Sequence, residues 1–200
     1  MLQLGRPHVY GPVLKTLHWT TVAIVLALLV IGPVMTSDLA MSSQTRAGLY
    51  GLHKSLGICI LFLTLLRLSW RGSHRVPALP PGLRPWEIRL VGVIHKLFYV
   101  LLLLQPLSGW AMYSVEPNKS LFFGMFRIPD LPFLTAWANS ETVIEALEGV
   151  HTTLAAILTV AIVLHVGAAL KHHFVIRDDV LLRMSPSVLG PLLRRLRGER

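Results

Sequence analysis

Four long apolar runs limit what this chain can fold into more than any other feature of its sequence. They cover about residues 17–35, 51–70, 93–115 and 150–170, and each is close to the roughly 20 residues that an α-helix needs to cross a bilayer. Charged residues make up 14% of the chain, whereas about 25% is usual in soluble domains. The sequence therefore predicts an all-α membrane protein, an up-down bundle of four transmembrane helices in contact with lipid.

The segments outside these runs indicate the domain organisation. We expect one domain over residues 1–178 and a basic tail over residues 179–200. Between the second and third runs, Pro77-Ala78-Leu79-Pro80-Pro81-Gly82 is typical of a loop. A signal peptide is the alternative interpretation of the first run, but the histidine spacing described below requires His18 and argues against cleavage.

Basic residues are distributed unequally between the two sides of the predicted membrane. The side with both termini and the second loop holds 15 of the 19: Arg6, Lys15, Arg67, Arg71, Arg75, Arg84, Arg89, Lys96, Lys171, Arg177, Arg183, Arg194, Arg195, Arg197 and Arg200. The positive-inside rule then places both termini in the cytoplasm. A net charge of +9 on such loops explains the basic composition without a nucleic-acid partner. For the tail, two interpretations remain open: contact with the anionic inner leaflet, or a solvated segment.

Four histidines fall at matched depths of the predicted bundle. His151 and His165 lie 14 residues apart on the fourth helix, which places them about 40° apart around the helix and roughly 21 Å apart along it. His18 enters the first helix on the side of His165, and His53 enters the second on the side of His151. The spacing therefore predicts two pairs, His18 with His165 and His53 with His151.

Paired histidines in an apolar bundle are typical of haem iron that carries electrons, because two axial ligands leave no open position on the metal. Zinc needs three or four ligands and suits the pairs poorly. The single cysteine, Cys59, excludes a cysteine-rich metal site, and the sequence has no C-x-x-C-H motif for covalent haem. We therefore expect two haem b groups, with His18, His53, His151 and His165 as ligands of the iron. Gly57, Gly109 and Gly167 fit either room for the porphyrin or helix packing.

Further polar residues near these pairs are candidates for secondary roles. Lys54, Arg67 and Arg71 are candidate partners of the haem propionates, although cations at helix ends also extend to the interface without a ligand. His95 and His172 are candidate neighbours of a quinone. The alternatives are an interfacial position for His95, and solvated side chains for His172 and His173. No residue receives a catalytic role from the sequence.

The order and spacing of several short motifs resemble the bacterial cytochrome b561 family over nearly the whole chain. The first three helices open with Leu17-His18-Trp19, Leu52-His53-Lys54-Ser55-Leu56-Gly57 and His95-Lys96-Leu97-Phe98-Tyr99. The fourth contains Val150-His151-Thr152-Thr153-Leu154-Ala155 and Leu164-His165-Val166-Gly167-Ala168-Ala169-Leu170-Lys171-His172-His173, and the tail contains Arg177-Asp178-Asp179-Val180-Leu181-Leu182-Arg183-Met184. The resemblance implies a diheme protein of the bacterial inner membrane with the same four histidine ligands.

Within that family the sequence is similar to the superoxide oxidase-like subgroup. This similarity implies oxidation of superoxide on the outer side and reduction of ubiquinone. One feature disagrees, since the outer side carries four basic and six acidic residues, whereas steering of an anion needs positive charge. The alternative within the family is a subunit that relays electrons between a dehydrogenase or hydrogenase partner and quinone. A haem-free membrane anchor or small transporter is the alternative from another class.

Overall fold

Four long helices form the framework of the protein in the computed structural model, which describes residues 9–75, 77–79 and 84–198. They are α1 (Pro12–Thr36), α2 (Ser43–Ser73), α3 (Pro85–Val115) and α4 (Glu141–Lys171). All four are long and apolar enough to cross a membrane, which confirms the predicted fold class. Arg6, Pro80, Pro81, Gly82 and Arg200 lie outside the described residues.

Each helix is longer than the apolar run that predicted it, because polar caps extend the ends past the lipid-facing part. At the start of α2, the Ser42 hydroxyl accepts a hydrogen bond from the Thr45 amide at 3.1 Å. At the start of α3, Pro85 occupies a first-turn position, and the Arg84 amide donates to the Glu87 carboxylate at 2.7 Å. Apolar patterning therefore located the helices but not their ends.

The chain divides into two compact units, and each contains a segment of all four long helices. The terminal unit comprises Met1–Thr20, Leu65–Phe98 and Val160–Arg200. The loop unit comprises Thr21–Thr64 and Tyr99–Thr159. Large apolar side chains are exposed along the helices in both units, for example Val30 and Phe62 in the loop unit and Val163 in the terminal unit. Such outward apolar faces are expected where the surrounding solvent is hydrocarbon.

A short hairpin and a 3₁₀ helix fill the connection from α3 to α4. Strands β1 (Leu121–Phe122) and β2 (Phe126–Arg127) pair antiparallel, and the 3₁₀ helix covers Pro132–Trp137. The turn between the strands uses positive φ angles at Phe123 (46°) and Gly124 (76°). This connection belongs to the loop unit.

After α4 the chain continues as a π-helical turn (His172–Ile176), α5 (Val180–Met184), a 3₁₀ turn (Ser187–Leu189) and α6 (Gly190–Leu196). The structure corrects the expectation that His173 is solvated, because its ring is fully buried and its Nε2 lies 3.1 Å from the Leu193 carbonyl oxygen. The tail is also more ordered than a solvated segment. The indole of Trp19 donates to the Met184 carbonyl at 3.0 Å, which holds the end of α5 against α1 in the terminal unit.

Candidate functional site

In the loop unit, the rings of His53 of α2 and His151 of α4, one of the two predicted pairs, lie next to each other. Their ring centroids are 6.2 Å apart, and the ring planes are inclined at 70°. An imidazole nitrogen binds a transition metal at about 2.0 Å, and the ring centre lies about 1.2 Å behind it, so two rings sharing one ion have centroids about 6.4 Å apart. The separation of this pair therefore fits one metal ion between the rings.

Two glycines lie directly against these rings. A Cβ added at Gly109 of α3 would lie 3.2 Å from Cε1 of His151, and one added at Gly32 of α1 would lie 3.5 Å from Cε1 of His53. The first distance is tighter than an ordinary carbon contact, so any side chain at Gly109 would push against the ring. Gly57 and Gly167 have nothing within 4 Å of such an atom, and only Gly109 of the three predicted glycines contacts a histidine.

Ser108 fixes which nitrogen of His151 is available to a metal. Its hydroxyl donates to the Gln105 carbonyl at 2.8 Å and lies 2.9 Å from His151 Nδ1. Because its proton is used on the carbonyl, the hydroxyl accepts from Nδ1–H, and the Nε2 lone pair of His151 is left for a ligand. In the structure the Gln105 amide donates to that Nε2 at 3.1 Å, and a metal ion bound there would replace this contact.

Two buried polar atoms beside this pair have no hydrogen-bond partner among the residues that the structure describes. They are His53 Nδ1 and Gln105 Oε1. Buried polar atoms are almost always satisfied, so each one calls for a specific explanation. Both atoms lie beside the His53–His151 pair. A bound group with polar atoms of its own, held by the two histidines, would account for them.

An open cavity of about 620 Å³, which includes some solvent space, adjoins the His53–His151 pair. Lys54 lines it, but its ammonium forms an ion pair with Glu116 Oε2 at 2.5 Å. The same ammonium lies 5.5 Å from the ring centre of Tyr113 and 6.0 Å from that of Tyr50, within cation–π range. The role of Lys54 as a propionate partner therefore stays a prediction, and its partner in the structure is Glu116.

In the terminal unit, the four helices each contribute one residue to a second polar cluster, namely His18, Arg67, His95 and His165. Arg67 Nη1 lies 3.3 Å from His18 Nδ1. His165 contacts the rings of His95 at 5.9 Å and Phe98 at 5.2 Å. Electrostatic interactions link His18 with His165, His95 and Arg67. The cluster thus contains both predicted residues of the second pair together with His95.

His95 is closer to a ligand position than the sequence indicated. Its Nδ1 lies 2.7 Å from the Val91 carbonyl oxygen, so it donates there and leaves the Nε2 lone pair available. Its ring separation from His165 is close to the distance expected across a metal ion. The pairing of His18 with His165 stays a prediction, and His95 is a second candidate partner for His165.

The other predicted residues lie around this cluster. Arg71 interacts electrostatically with His95, and His172 is paired with Asp178 rather than being freely solvated. Sequence reasoning missed Gln105 and Ser108, which a polar interruption of an apolar run could have indicated. It also missed Glu116 and Gly32, for which the sequence offers no comparable signal. Each long helix therefore supplies a histidine or a histidine contact, and the donors fit b-type haem better than any metal bound by three or four ligands.

Comparison with known proteins agrees with this geometry. A family model described as prokaryotic cytochrome b561 matches residues 9–187. Cytochrome b561 homolog 1 of Escherichia coli (strain K12) is 32% identical over 171 residues, which is 85% of this chain and 93% of the relative. The probable superoxide oxidase CybB of Yersinia pestis is 32% identical over 139 residues, or 70% of this chain and 76% of that protein.

A third relative is more distant. Cytochrome b562 of Cereibacter sphaeroides is 27% identical over 172 residues, covering 84% of this chain and 90% of the relative. The similarity to cytochromes extends over most of the chain, and the four apolar helices agree with a multi-pass bacterial membrane protein. The chain therefore belongs to the prokaryotic cytochrome b561 family, whose members transfer electrons in the membrane with b-type haem.

Proposed function

We propose that this protein oxidises superoxide and uses the electrons to reduce ubiquinone, with two b haems held by His53–His151 and His18–His165. The observation that carries the proposal is the open cavity beside His53 and His151, which has the ion pair of Lys54 and Glu116 in its wall. A cavity of this kind would admit a small anion towards the two histidines, which would hold the haem. The similarity to a probable superoxide oxidase supports the same activity.

The charged side chains near this cavity bear on the approach of an anion to an outer side that is acidic overall. In the described part of the chain, Lys54 pairs with Glu116, while Lys119 and Arg127 both pair with Asp130, so three cations share two carboxylates. The remaining outer acidic residues, Asp38, Glu141, Glu145 and Glu148, form none of these ion pairs. In the cavity wall Lys54 is balanced by Glu116, whereas Lys119, whose ammonium lies 4.8 Å from the ring centre of the wall residue Tyr113, and Arg127 exceed Asp130 by one positive charge, which favours the approach of an anion.

The residues of the terminal unit support a quinone step. His18, Arg67, His95 and His165 gather there, and His172 follows at the end of α4. A quinone dissolved in lipid can reach this end of α4, because Phe174 and Val175 are exposed apolar residues. The basic residues of this side predict that it faces the cytoplasm.

In the overall reaction, two superoxide ions and two protons convert one quinone to a quinol and release two molecules of oxygen. When bound between two imidazoles, haem b supplies a one-electron carrier with no open coordination position. The side chains of the protein supply the orientation of the ligand and the charge near it. Ser108 orients His151, and Lys54 provides a positive charge at the cavity.

A relay subunit for a dehydrogenase or hydrogenase is the second candidate function, and the hairpin favours it. Met125 and Phe126 at the hairpin and Phe133 in the 3₁₀ helix expose more than half of their surface, which is a suitable contact for a redox partner. Such a subunit would show little activity when it is isolated.

The two candidates are distinguished with purified haem-loaded protein, a ubiquinone of short chain and an enzymatic source of superoxide. We expect quinol formation that requires superoxide and that superoxide dismutase abolishes, whereas catalase leaves it unchanged. Lys54→Gln should reduce the rate and flatten its dependence on ionic strength. Haem-loaded protein that superoxide does not reduce would exclude superoxide oxidation and favour the relay subunit.

A further inference from the structure

The end of α4 contains a histidine–carboxylate pair that the proposed electron path does not use. His172 Nδ1 lies 2.5 Å from Asp178 Oδ2, across the π-helical turn. The other carboxylate oxygen of Asp178 accepts from the Val180 amide at 3.0 Å, and the Asp178 amide donates to the His172 carbonyl at 3.2 Å. Three bonds thus fix the carboxylate in front of the imidazole.

This arrangement determines the tautomer of His172. A carboxylate accepts a proton from Nδ1–H, so the neutral ring carries its proton on Nδ1 and leaves its Nε2 unprotonated. No residue in the described part of the chain forms a hydrogen bond to that Nε2. The ring is only partly exposed, and the exposed residues that follow it, Phe174, Val175 and Ile176, are apolar.

The C-terminal segment holds Asp178 in place. Arg197, whose side chain is almost completely buried, donates to the Asp178 carbonyl at 2.5 Å and to Asp179 Oδ1 at 3.0 Å. His173 is buried against Leu193 of α6 on the same segment. Residues 190–197 lie beyond the part of the chain that matches the family model, which ends at residue 187. The family model therefore does not describe the support of Asp178 by Arg197.

We propose that Asp178 is a positioning residue that prepares His172 to deliver a proton to the quinone, with the C-terminal Arg197 holding it in place. This inference rests on the proposed quinone reduction. The quinone takes two electrons from haem b and two protons to form a quinol. His172 in its imidazolium form gives one of these protons from Nε2 to a quinone oxygen, which forms an O–H bond as the N–H bond breaks. The ring returns to its Nδ1–H form against Asp178, a proton from the solvent restores Nε2–H, and a second solvent proton completes the quinol.

Asp178→Asn tests this role, with Asp179→Asn as the matched control. An asparagine retains one oxygen for the Val180 amide and turns its NH₂ towards Nδ1, which opposes the imidazolium and moves the proton of the neutral ring to Nε2. The control removes the same charge one residue away and keeps the bond from Arg197 to the Asp178 carbonyl. Haem content and the thermal unfolding midpoint establish that both variants are folded.

Protein reduced with dithionite is mixed rapidly with a short-chain ubiquinone or with ferricyanide, and reoxidation is followed in the visible spectrum. We expect Asp178→Asn to slow reoxidation by quinone about 10- to 100-fold, while ferricyanide, which takes no proton, reacts as with the wild type. A readout that needs no turnover is the modification of His172 by diethylpyrocarbonate, detected by mass spectrometry. It should be severalfold slower in Asp178→Asn, because Nε2 has lost its free lone pair.

The possible results distinguish the positioning role of Asp178 from the proposed reduction of quinone. Equal quinone rates in Asp178→Asn and Asp179→Asn would overturn the positioning role and leave the proposed function intact. Slowing with both oxidants would also overturn it, because proton delivery would then not be the affected step. Wild-type protein that quinone does not reoxidise would overturn the proposed function and this inference together.

Discussion

At the scale of single residues, the site depends on contacts that hold the imidazole rings rather than on the histidines alone. Ser108 fixes the tautomer of His151, and Gly109 leaves room for its ring. The sequence predicted the histidines because ionisable groups within apolar runs are costly and conspicuous. It could not predict Ser108 as their partner, because that contact depends on the rotation of α3 against α4 within the loop unit.

Gly109→Ala should weaken haem binding at the His53–His151 pair. The added Cβ would lie 3.2 Å from Cε1 of His151 and must displace the ring, at a cost of about 1–3 kcal/mol. The measurement is the haem content per chain, together with the low-spin signal in electron paramagnetic resonance. The control is Gly149→Ala on α4, where nothing lies within 4 Å of an added Cβ. Equal haem content and spectra in the two variants would show that the ring does not need the space at Gly109.

Ser108→Ala should loosen His151 without removing it. The variant loses the acceptor for His151 Nδ1–H, and partners of this kind typically account for 10- to 100-fold in metal affinity. The dissociation rate of haem into excess apomyoglobin measures the effect, and we expect it to rise about tenfold or more. Thr159→Val is the control, because among the described residues that hydroxyl on α4 bonds only to the Ala155 carbonyl, at 2.8 Å. Haem release that is unchanged in Ser108→Ala would contradict the orienting role of Ser108.

At the scale of secondary-structure elements, the helices were predictable and their ends were not. Apolar composition marks only the part of a helix that crosses the lipid, whereas caps such as Ser42 and Glu87 carry the helices further. The acidic stretch 141–148 forms the first part of α4, ahead of the apolar run. Buried contacts of the tail, such as His173 with Leu193, depend on tertiary folding and leave no periodic pattern in the sequence.

The connection between α3 and α4 should lose stability in acid through Asp130. Its hydrogen bond from Lys119 lowers the pKa of the Asp130 carboxyl, and the charges of Lys119 and Arg127 act in the same direction. Because the pKa is lower in the folded chain than in the unfolded one, this contribution is complete above the usual carboxyl pKa of about 4. This contribution to the free energy of unfolding is lost as the pH falls from about 4 through the lowered pKa that Asp130 has in the folded chain.

The measurement is the unfolding midpoint of the detergent-solubilised protein as a function of pH. Asp130→Asn should be less stable than the wild type at neutral pH, and the difference should shrink in acid. Asp38→Asn serves as the control, since no ion pair to Asp38 is found within the described residues. A difference between Asp130→Asn and the wild type that stays constant with pH would contradict this account.

At the scale of the whole molecule, the family and the number of membrane helices follow from the sequence, while sidedness and haem number remain predictions. The unequal distribution of basic residues predicts that both termini face the cytoplasm. A green fluorescent protein fused to the C-terminus should therefore fluoresce, and alkaline phosphatase fused after Ser140 should be active in the periplasm. The opposite pattern, with phosphatase activity only at the C-terminus, would reverse the assignment of the two sides.

The central claim is that four histidines hold two b haems, and haem stoichiometry tests it most directly. The reduced-minus-oxidised spectrum and the haem count per chain are recorded for the purified wild type and for His53→Ala, His165→Ala, His18→Ala and His95→Ala. We predict a low-spin b-type spectrum with about two haems per chain, about one in each of the first three variants, and about two in His95→Ala. Retention of both haems in His18→Ala with loss of one in His95→Ala would instead pair His95 with His165. A folded but colourless wild-type protein, or full haem content in His53→Ala or His165→Ala, would contradict the account.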